Sequence, residues 1–163
     1  MKIKRIGAWN FKILVLGDES SGLALQKMAK EKGLDEFVYC GFHKKVNPYV
    51  SLFDAGFILS DSIETVSFAA REMMAMGKPL ISSSFSGLKE NVQDGINGFV
   101  VEPGNVSDVA FAMKRFLEMD KATLDRFSLK AREYAVKNLD IAKQMKAHSV
   151  LYTNMTSRSS GRS

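Results

Sequence analysis

Three stretches decide the fold: Ala55-Gly56-Phe57-Ile58-Leu59, Ser67-Phe68-Ala69-Ala70-Arg71-Glu72-Met73-Met74-Ala75-Met76, and Pro79-Leu80-Ile81-Ser82. The first and last are short apolar runs without polar alternation, the pattern of strands covered on both faces. The middle stretch reads as a helix. Gly77 closes it, because glycine adopts the left-handed backbone that ends helices. Strand, helix, strand is the repeating unit of a parallel sheet.

The same alternation extends in both directions. Phe11-Lys12-Ile13-Leu14-Val15-Leu16-Gly17-Asp18 predicts a strand buried on both faces and ending in a turn. A helix follows over about 21–32, with Leu23, Leu25, Met28 and Ala29 apolar and Gly33 as its stop. Phe37-Val38-Tyr39-Cys40-Gly41 is a second strand, in which Cys40 reads as a small buried hydrophobe. Residues 46–53 predict a short helix begun near Asn47-Pro48. Asn97-Gly98-Phe99-Val100-Val101 is the last strand and ends at Pro103-Gly104.

Beyond it the chain reads as helical. Asn105 caps a helix, with Asp108 three residues on, an approximate capping box. Val106, Val109, Ala110, Met113, Phe116 and Leu117 form its apolar face. Asp120 caps a helix to about Asn138, and Asp140 one to about Tyr152. Residues 156–163 hold no apolar side chain and are expected to be disordered. The expected fold is α/β: one Rossmann-like lobe over 1–155, a parallel sheet with helices on both faces, and a helical C-terminus.

The chain has 163 residues, 45% hydrophobic and 25% charged, ordinary values for one globular domain. No apolar run approaches the roughly 20 residues that span a bilayer. The basic Met1-Lys2-Ile3-Lys4-Arg5 is not followed by a signal-peptide core, so cytoplasm is the expected compartment. One cysteine leaves no internal disulfide and no multi-cysteine metal site. Residues 1–120 hold 14 Lys+Arg and 15 Asp+Glu, net −1; residues 121–163 hold 9 and 3, net +6. A basic helical C-terminus suits a solvated face or peripheral contact with an anionic membrane. Aromatic residues are not interleaved with the bases, which argues against nucleic acid.

Glu64 and Glu72 carry the chemistry. Ligands of open parallel sheets bind beyond the carboxyl ends of the strands, and Glu64 falls just past the strand at 55–59. A helix starting near Ser67 puts Glu72 in its second turn, and eight helical residues span roughly 12 Å. A carboxylate accepts two hydrogen bonds side by side, which matches a vicinal diol. N–H groups of about Val66 to Ala69 at the helix N-terminus attract phosphate. Diol, phosphate and diol is what a sugar nucleotide presents. By itself, two glutamates at this spacing are more often solvated.

Neighbouring motifs change that balance. Glu64…Glu72, Ala75-Met76-Gly77-Lys78-Pro79-Leu80-Ile81, Ser86-Gly87-Leu88-Lys89-Glu90, Asp94-Gly95-Ile96-Asn97-Gly98 and Glu102-Pro103-Gly104-Asn105 stand in order. Together they resemble the C-terminal lobe of retaining GT-B glycosyltransferases, the family 4 or "glycosyl transferases group 1" type. The resemblance covers about residues 11–152. It implies that Glu72 holds the donor ribose and that Glu64, the catalytic candidate, contacts the transferred sugar. It also implies that Val66, Ser67 and Phe68 offer N–H groups to the diphosphate. Tyr39, Cys40 and Gly41 would flank the base, and Ser86-Gly87 would form a close-approach turn in which Gly87 takes the unusual backbone. His43 could sit near the pocket, just after the Gly41 turn, and Lys44-Lys45 could reach a phosphate, but both read more readily as surface residues. No metal and no cofactor are implied beyond the nucleotide-sugar donor.

The chain departs from the family at four places. Ser67 stands for a glycine, Ser60-Asp61 for Pro-Ser, and Ser86-Gly87 for Gly-Gly or Thr-Gly. The fourth is the family's first strand–helix unit, which carries an Arg and a Lys for the diphosphate. Only ten residues precede Phe11, and Lys2, Lys4 and Arg5 match neither role. The resemblance therefore implies most of a donor lobe, without an acceptor lobe and inactive alone. It also implies a gap in the sheet, filled by residues 1–6, by closure, or by a second chain in a homodimer through the open edge. The expected function is donor binding for transfer of a hexose-type sugar to a glycan or lipid-linked glycan. A degenerate nucleotide- or protein-binding lobe and a GT-B sugar-nucleotide epimerase are the alternatives.

Overall fold

The computed structural model describes residues 10–60 and 67–159, and at 144, 147 and 156–159 the backbone alone. Its contacts fall into two units, one up to Leu52 and one from Phe53 onward.

In the first unit Ile13–Leu16 forms β1, Glu19–Glu31 α1, Phe37–Gly41 β2 and Asn47–Val50 the one-turn α2. β1 and β2 are parallel, with Ile13 opposite Phe37 and Val15 opposite Tyr39. Helix α1 is the crossover that parallel pairing requires. Asp18 begins it, accepting from the Ser21 N–H at 3.0 Å and the Ser20 hydroxyl at 2.6 Å. Gly33, at φ +67°, ends it. The Tyr39 ring lies over Gly22, where an added Cβ would stand 2.0 Å from Cε2, so α1 seats against β2 only with glycine there.

Expectations for this unit are corrected in β1, at Cys40 and in the short helix. β1 is half-buried at all four positions, and Cys40 is partly exposed. Leu23, Leu25 and Met28 face solvent, and of α1 only Gly22 and Ala29 are buried. The physical reason is layering: among the described residues one long helix, packed chiefly on β2, covers a two-stranded sheet. The short helix is a single turn and not the span 46–53.

In the second unit Gly56–Ile58 forms β3, Phe68–Ala75 α3, Leu80–Ser83 β4 and Gly98–Val101 β5. Val106–Glu118, Lys121–Asn138 and Ile141–Ser159 follow as α4, α5 and α6. The sheet is parallel in the order β3-β4-β5, and the central β4 is buried at every position. Phe99, Phe116 and Phe127 meet at centroid separations of 4.8, 5.6 and 6.0 Å, with tilted rings as aromatic quadrupoles prefer. Ile81, Val101 and Ala112 complete this core. The Arg115 guanidinium covers the Phe99 ring at 3.9 Å.

Several sequence motifs turn out to be structural devices. Helix α3 ends in a Schellman pair, Gly77 N–H to Met74 and Lys78 N–H to Met73, with Gly77 at φ +72°. In Asp94-Gly95-Ile96-Asn97-Gly98 the Asp94 carboxylate accepts from Val100 N–H, and Asn97, fully buried, accepts from Gln93 N–H at 2.7 Å. At Gly98 a Cβ would lie 2.2 Å from the Leu80 carbonyl oxygen.

On α4 the core face is Val109, Ala112, Met113 and Phe116, whereas Val106 and Ala110, expected on it, are exposed. Asn105 caps as expected, but Asp108 accepts from Glu102 N–H, so the capping box is only half closed. Helix α6 runs on to Ser159, into the stretch expected to be disordered; residues 160–163 lie outside the described residues. Among the described residues β1 pairs only with β2 and β3 only with β4. Residues 1–6, one candidate for the sheet gap, also lie outside them.

Gly98→Ala is expected to lower unfolding free energy by about 3 kcal/mol, because the added methyl meets backbone that cannot move aside. Urea denaturation of the variant checks this, and an unchanged midpoint would contradict it.

Candidate functional site

The strand ends of the second unit are tied together. Ser83 donates its hydroxyl to the Ser60 carbonyl at 2.6 Å, joining the ends of β4 and β3. The Ser84 N–H donates to the Val101 carbonyl at 2.8 Å, joining β4 to β5. The loop between β3 and α3 leaves from this edge. Glu64 and Val66, and Asp61 with them, lie outside the described residues.

Ser67 is the N-cap of α3: it is buried, and its hydroxyl accepts from Ala70 N–H at 3.3 Å. No described residue accepts from the N–H groups of Phe68 and Ala69, so those two donors stand at the positive end of the helix. The Phe68 ring is 75% exposed. Glu72 is exposed in the second turn, four residues on. This segment can meet an anion at the helix mouth and a hydroxyl-bearing group at Glu72.

Gly87 sits inside a 3₁₀ turn over Ser86–Glu90 that follows β4. The unusual backbone belongs to Ser86, at φ +48°, and not to Gly87 as the sequence suggested. A non-glycine residue in this region is uncommon and strained. Helix α5 braces the turn and α3 from behind: Tyr134 donates to the Glu90 carbonyl, and Arg132 to the Ala75 carbonyl. These contacts span 44 and 57 residues, and no local pattern announces them.

In the first unit the Tyr39 side chain is committed to structure. Its hydroxyl donates to the Gly17 carbonyl at 3.1 Å and its ring covers Gly22. Desolvation raises its pKa, with the Glu19 and Asp18 charges adding to the effect. Cys40 and Gly41 follow at the carboxyl end of β2, with Gly41 at φ +86°. His43, read from sequence as a surface residue, is half-buried against Tyr49. Among the described residues no three His, Cys, Asp or Glu side chains are placed to hold a metal ion.

Asp18 also decides what the first unit's helix can do. Its carboxylate occupies the α1 N-terminus that would otherwise attract an anion. The Ser20 hydroxyl, then the Ser21 N–H, hold its pKa down from 3.8 to about 2. A depressed carboxylate pKa stabilises the fold above its unfolded value, and that contribution is lost as pH falls toward about 2. Asp18→Asn should therefore flatten the stability profile between about pH 4 and pH 2, read by thermal melts. An unaltered acid limb would contradict the cap. Ser86→Gly should raise stability by about 0.5–1 kcal/mol, as relief of strain outweighs the added chain entropy. A loss on denaturation would contradict the strain.

The sequence model of the family described as Glycosyl transferases group 1 matches residues 2–119. A lipopolysaccharide core biosynthesis glycosyltransferase of Rhizobium meliloti is 28% identical over 104 residues, 63% of this chain and 30% of that protein. A D-inositol 3-phosphate glycosyltransferase of Streptomyces griseus is 32% identical over 113 residues, 64% of this chain and 24% of that protein. The chain thus spans less than a third of the length of these relatives. Among solved structures, a glycosyltransferase of Rickettsia africae superimposes with TM-score 0.83 at 19% identity, over 90% of this chain and 40% of that one. The C-terminal domain of a glycosyl transferase group 1 protein of Francisella tularensis gives 0.69 at 21%, over 86% and 74%. The Anabaena protein Alr3699/HepE, crystallised with UDP, gives 0.77 at 21%, over 87% and 41%. At these identities the likeness is one of fold, and the fold is that of a GT-B C-terminal domain. With the match spanning more than half of its length, the chain belongs to the glycosyl transferases group 1 family.

Proposed function

We propose that the chain is the donor-binding lobe of a retaining glycosyltransferase. It would serve transfer of a hexose-type sugar from a nucleotide-diphosphate donor to a glycan or lipid-linked glycan held by a separate acceptor lobe. The observation that carries this is the family match across residues 2–119, which includes the whole of α3 and the loop before it. In this reading Glu72 holds the ribose hydroxyls and Glu64 contacts the sugar. Val66, Ser67 and Phe68 meet the diphosphate, Gly87 belongs to a close-approach turn near the donor, and the backbone of Tyr39, Cys40 and Gly41 flanks the base. The lobe stabilises the departing diphosphate while the acceptor hydroxyl attacks from the same face. No metal or cofactor is invoked. Because the chain is a small fraction of its relatives' length, it is read as inactive alone.

Two partner readings accompany this one. Among the described residues β1 and β3 each leave one edge without a partner strand, which suits pairing with a second copy. The basic C-terminal helices suit peripheral contact with the inner face of an anionic membrane, since Asp125, Glu133 and Asp140 are already engaged with Lys121, Lys130 and the Ala142 N–H. No described helix is long and apolar enough to cross a membrane.

A non-catalytic lobe is the second reading, and the burial of Ser67 favours it. Where the family has glycine, this chain has a side chain whose hydroxyl is committed to the cap, which narrows the approach to the helix mouth. Calorimetry with UDP, ADP and GDP on the full-length protein separates the two. The donor-lobe reading expects binding of at least one, weakened tenfold or more, about 1.4 kcal/mol, in Glu72→Ala. Unchanged affinity in Glu72→Ala would remove the ribose clamp, and no binding at all would favour the non-catalytic lobe.

A further inference from the structure

At the carboxyl end of β2 the chain turns through Gly41, Phe42 and His43 into α2. His43 closes this turn on two sides. Its Nε2 lies 2.8 Å from the Cys40 carbonyl oxygen, and its Nδ1 lies 3.4 Å from the Tyr49 hydroxyl. Its ring stacks on Tyr49 with centroids 4.3 Å apart and planes inclined by 31°. A carbonyl only accepts, so Nε2 donates to Cys40, which leaves Nδ1 to meet the Tyr49 hydroxyl. The imidazole thus clasps the last turn of the strand to α2.

The clasp fixes a backbone that would otherwise be loose. Gly41 is at φ +86°, a region glycine enters without strain but in which it also has many alternatives. On one side the Gly41 carbonyl accepts from the Gly17 N–H at 3.3 Å; on the other the Cys40 carbonyl is held by His43. Immediately after them, no described residue takes the N–H or the C=O of Phe42. A rigid turn with one free donor and one free acceptor, at the carboxyl end of a parallel strand, suits the edge of a planar heterocycle.

We propose that His43 is a positioning residue that presets the Cys40–Gly41–Phe42 turn for the nucleobase of the donor. It touches no reacting atom and acts through the backbone it holds, lowering the ordering that binding would otherwise require. The proposal rests on the donor-lobe reading, because that reading supplies the base.

The test uses the full-length protein and two probes, UDP and inorganic pyrophosphate, which lacks the base. If UDP is not the preferred nucleotide, the tighter of ADP and GDP takes its place. His43→Ala is expected to weaken nucleotide binding about tenfold and to leave pyrophosphate binding unchanged. His43→Gln can present an amide donor where Nε2 stands and should restore most of the affinity, whereas His43→Asn, one bond shorter, should not. Hydrogen exchange without ligand is the second readout: His43→Ala, and to a smaller extent Tyr49→Phe, should speed exchange at Phe42 while β1 and β2 stay protected. Equal loss for nucleotide and pyrophosphate, or wild-type affinity in His43→Ala, would overturn the proposal and leave the donor-lobe reading standing. Wild-type protein that binds no nucleotide would remove both.

Discussion

The second unit depends on β4, a strand buried at all four positions between two parallel neighbours. A strand with no solvent face can be apolar throughout, and Leu80 and Ile81 are the apolar half of it. Ser82 and Ser83, the other half, are buried as well and keep their hydroxyls bonded to backbone carbonyls. The Ser83 bond reaches Ser60 and so fixes where β3 ends and the loop toward α3 begins. Close seating of β5 follows from Gly98, which lets its backbone approach Leu80. Packing and site geometry therefore share one cause, the burial of a short strand whose polar end is satisfied internally.

Much of this was legible in the sequence, for identifiable reasons. Continuous apolar runs marked the strands. Asp120 and Asn105 began helices where short polar side chains precede apolar periodicity, and Gly77 ended one where a left-handed residue was needed. What escaped was non-local. Nothing near Tyr134 indicates that its hydroxyl reaches Glu90, and nothing near Tyr39 indicates that its ring caps Gly22. The burial of β1 was overestimated because an apolar run reports what a strand can tolerate, not how many layers cover it.

The candidate site was legible in part. Glu72 stands exposed on α3, and Ser67 begins that helix. Local pattern misplaced the strained residue, because glycine at 87 draws attention that belongs to Ser86. His43 was read as a surface residue because a lone histidine carries no motif; only the fold brings Cys40 and Tyr49 to its two nitrogens. The family motif around Asp94 to Gly98 proved to be a turn-and-packing device. Within a shared motif, residues that hold the fold and residues that could meet a ligand are separable only by their contacts.

On the donor-lobe proposal, the α3 mouth receives the diphosphate of a nucleotide. Amide chemical shifts of the full-length protein, followed while a nucleoside diphosphate is added, test it most directly. Saturable shifts are expected at Phe68 and Ala69, with the amides of the Phe99–Phe127 core unmoved. Saturable binding that leaves Phe68 and Ala69 unshifted would contradict it.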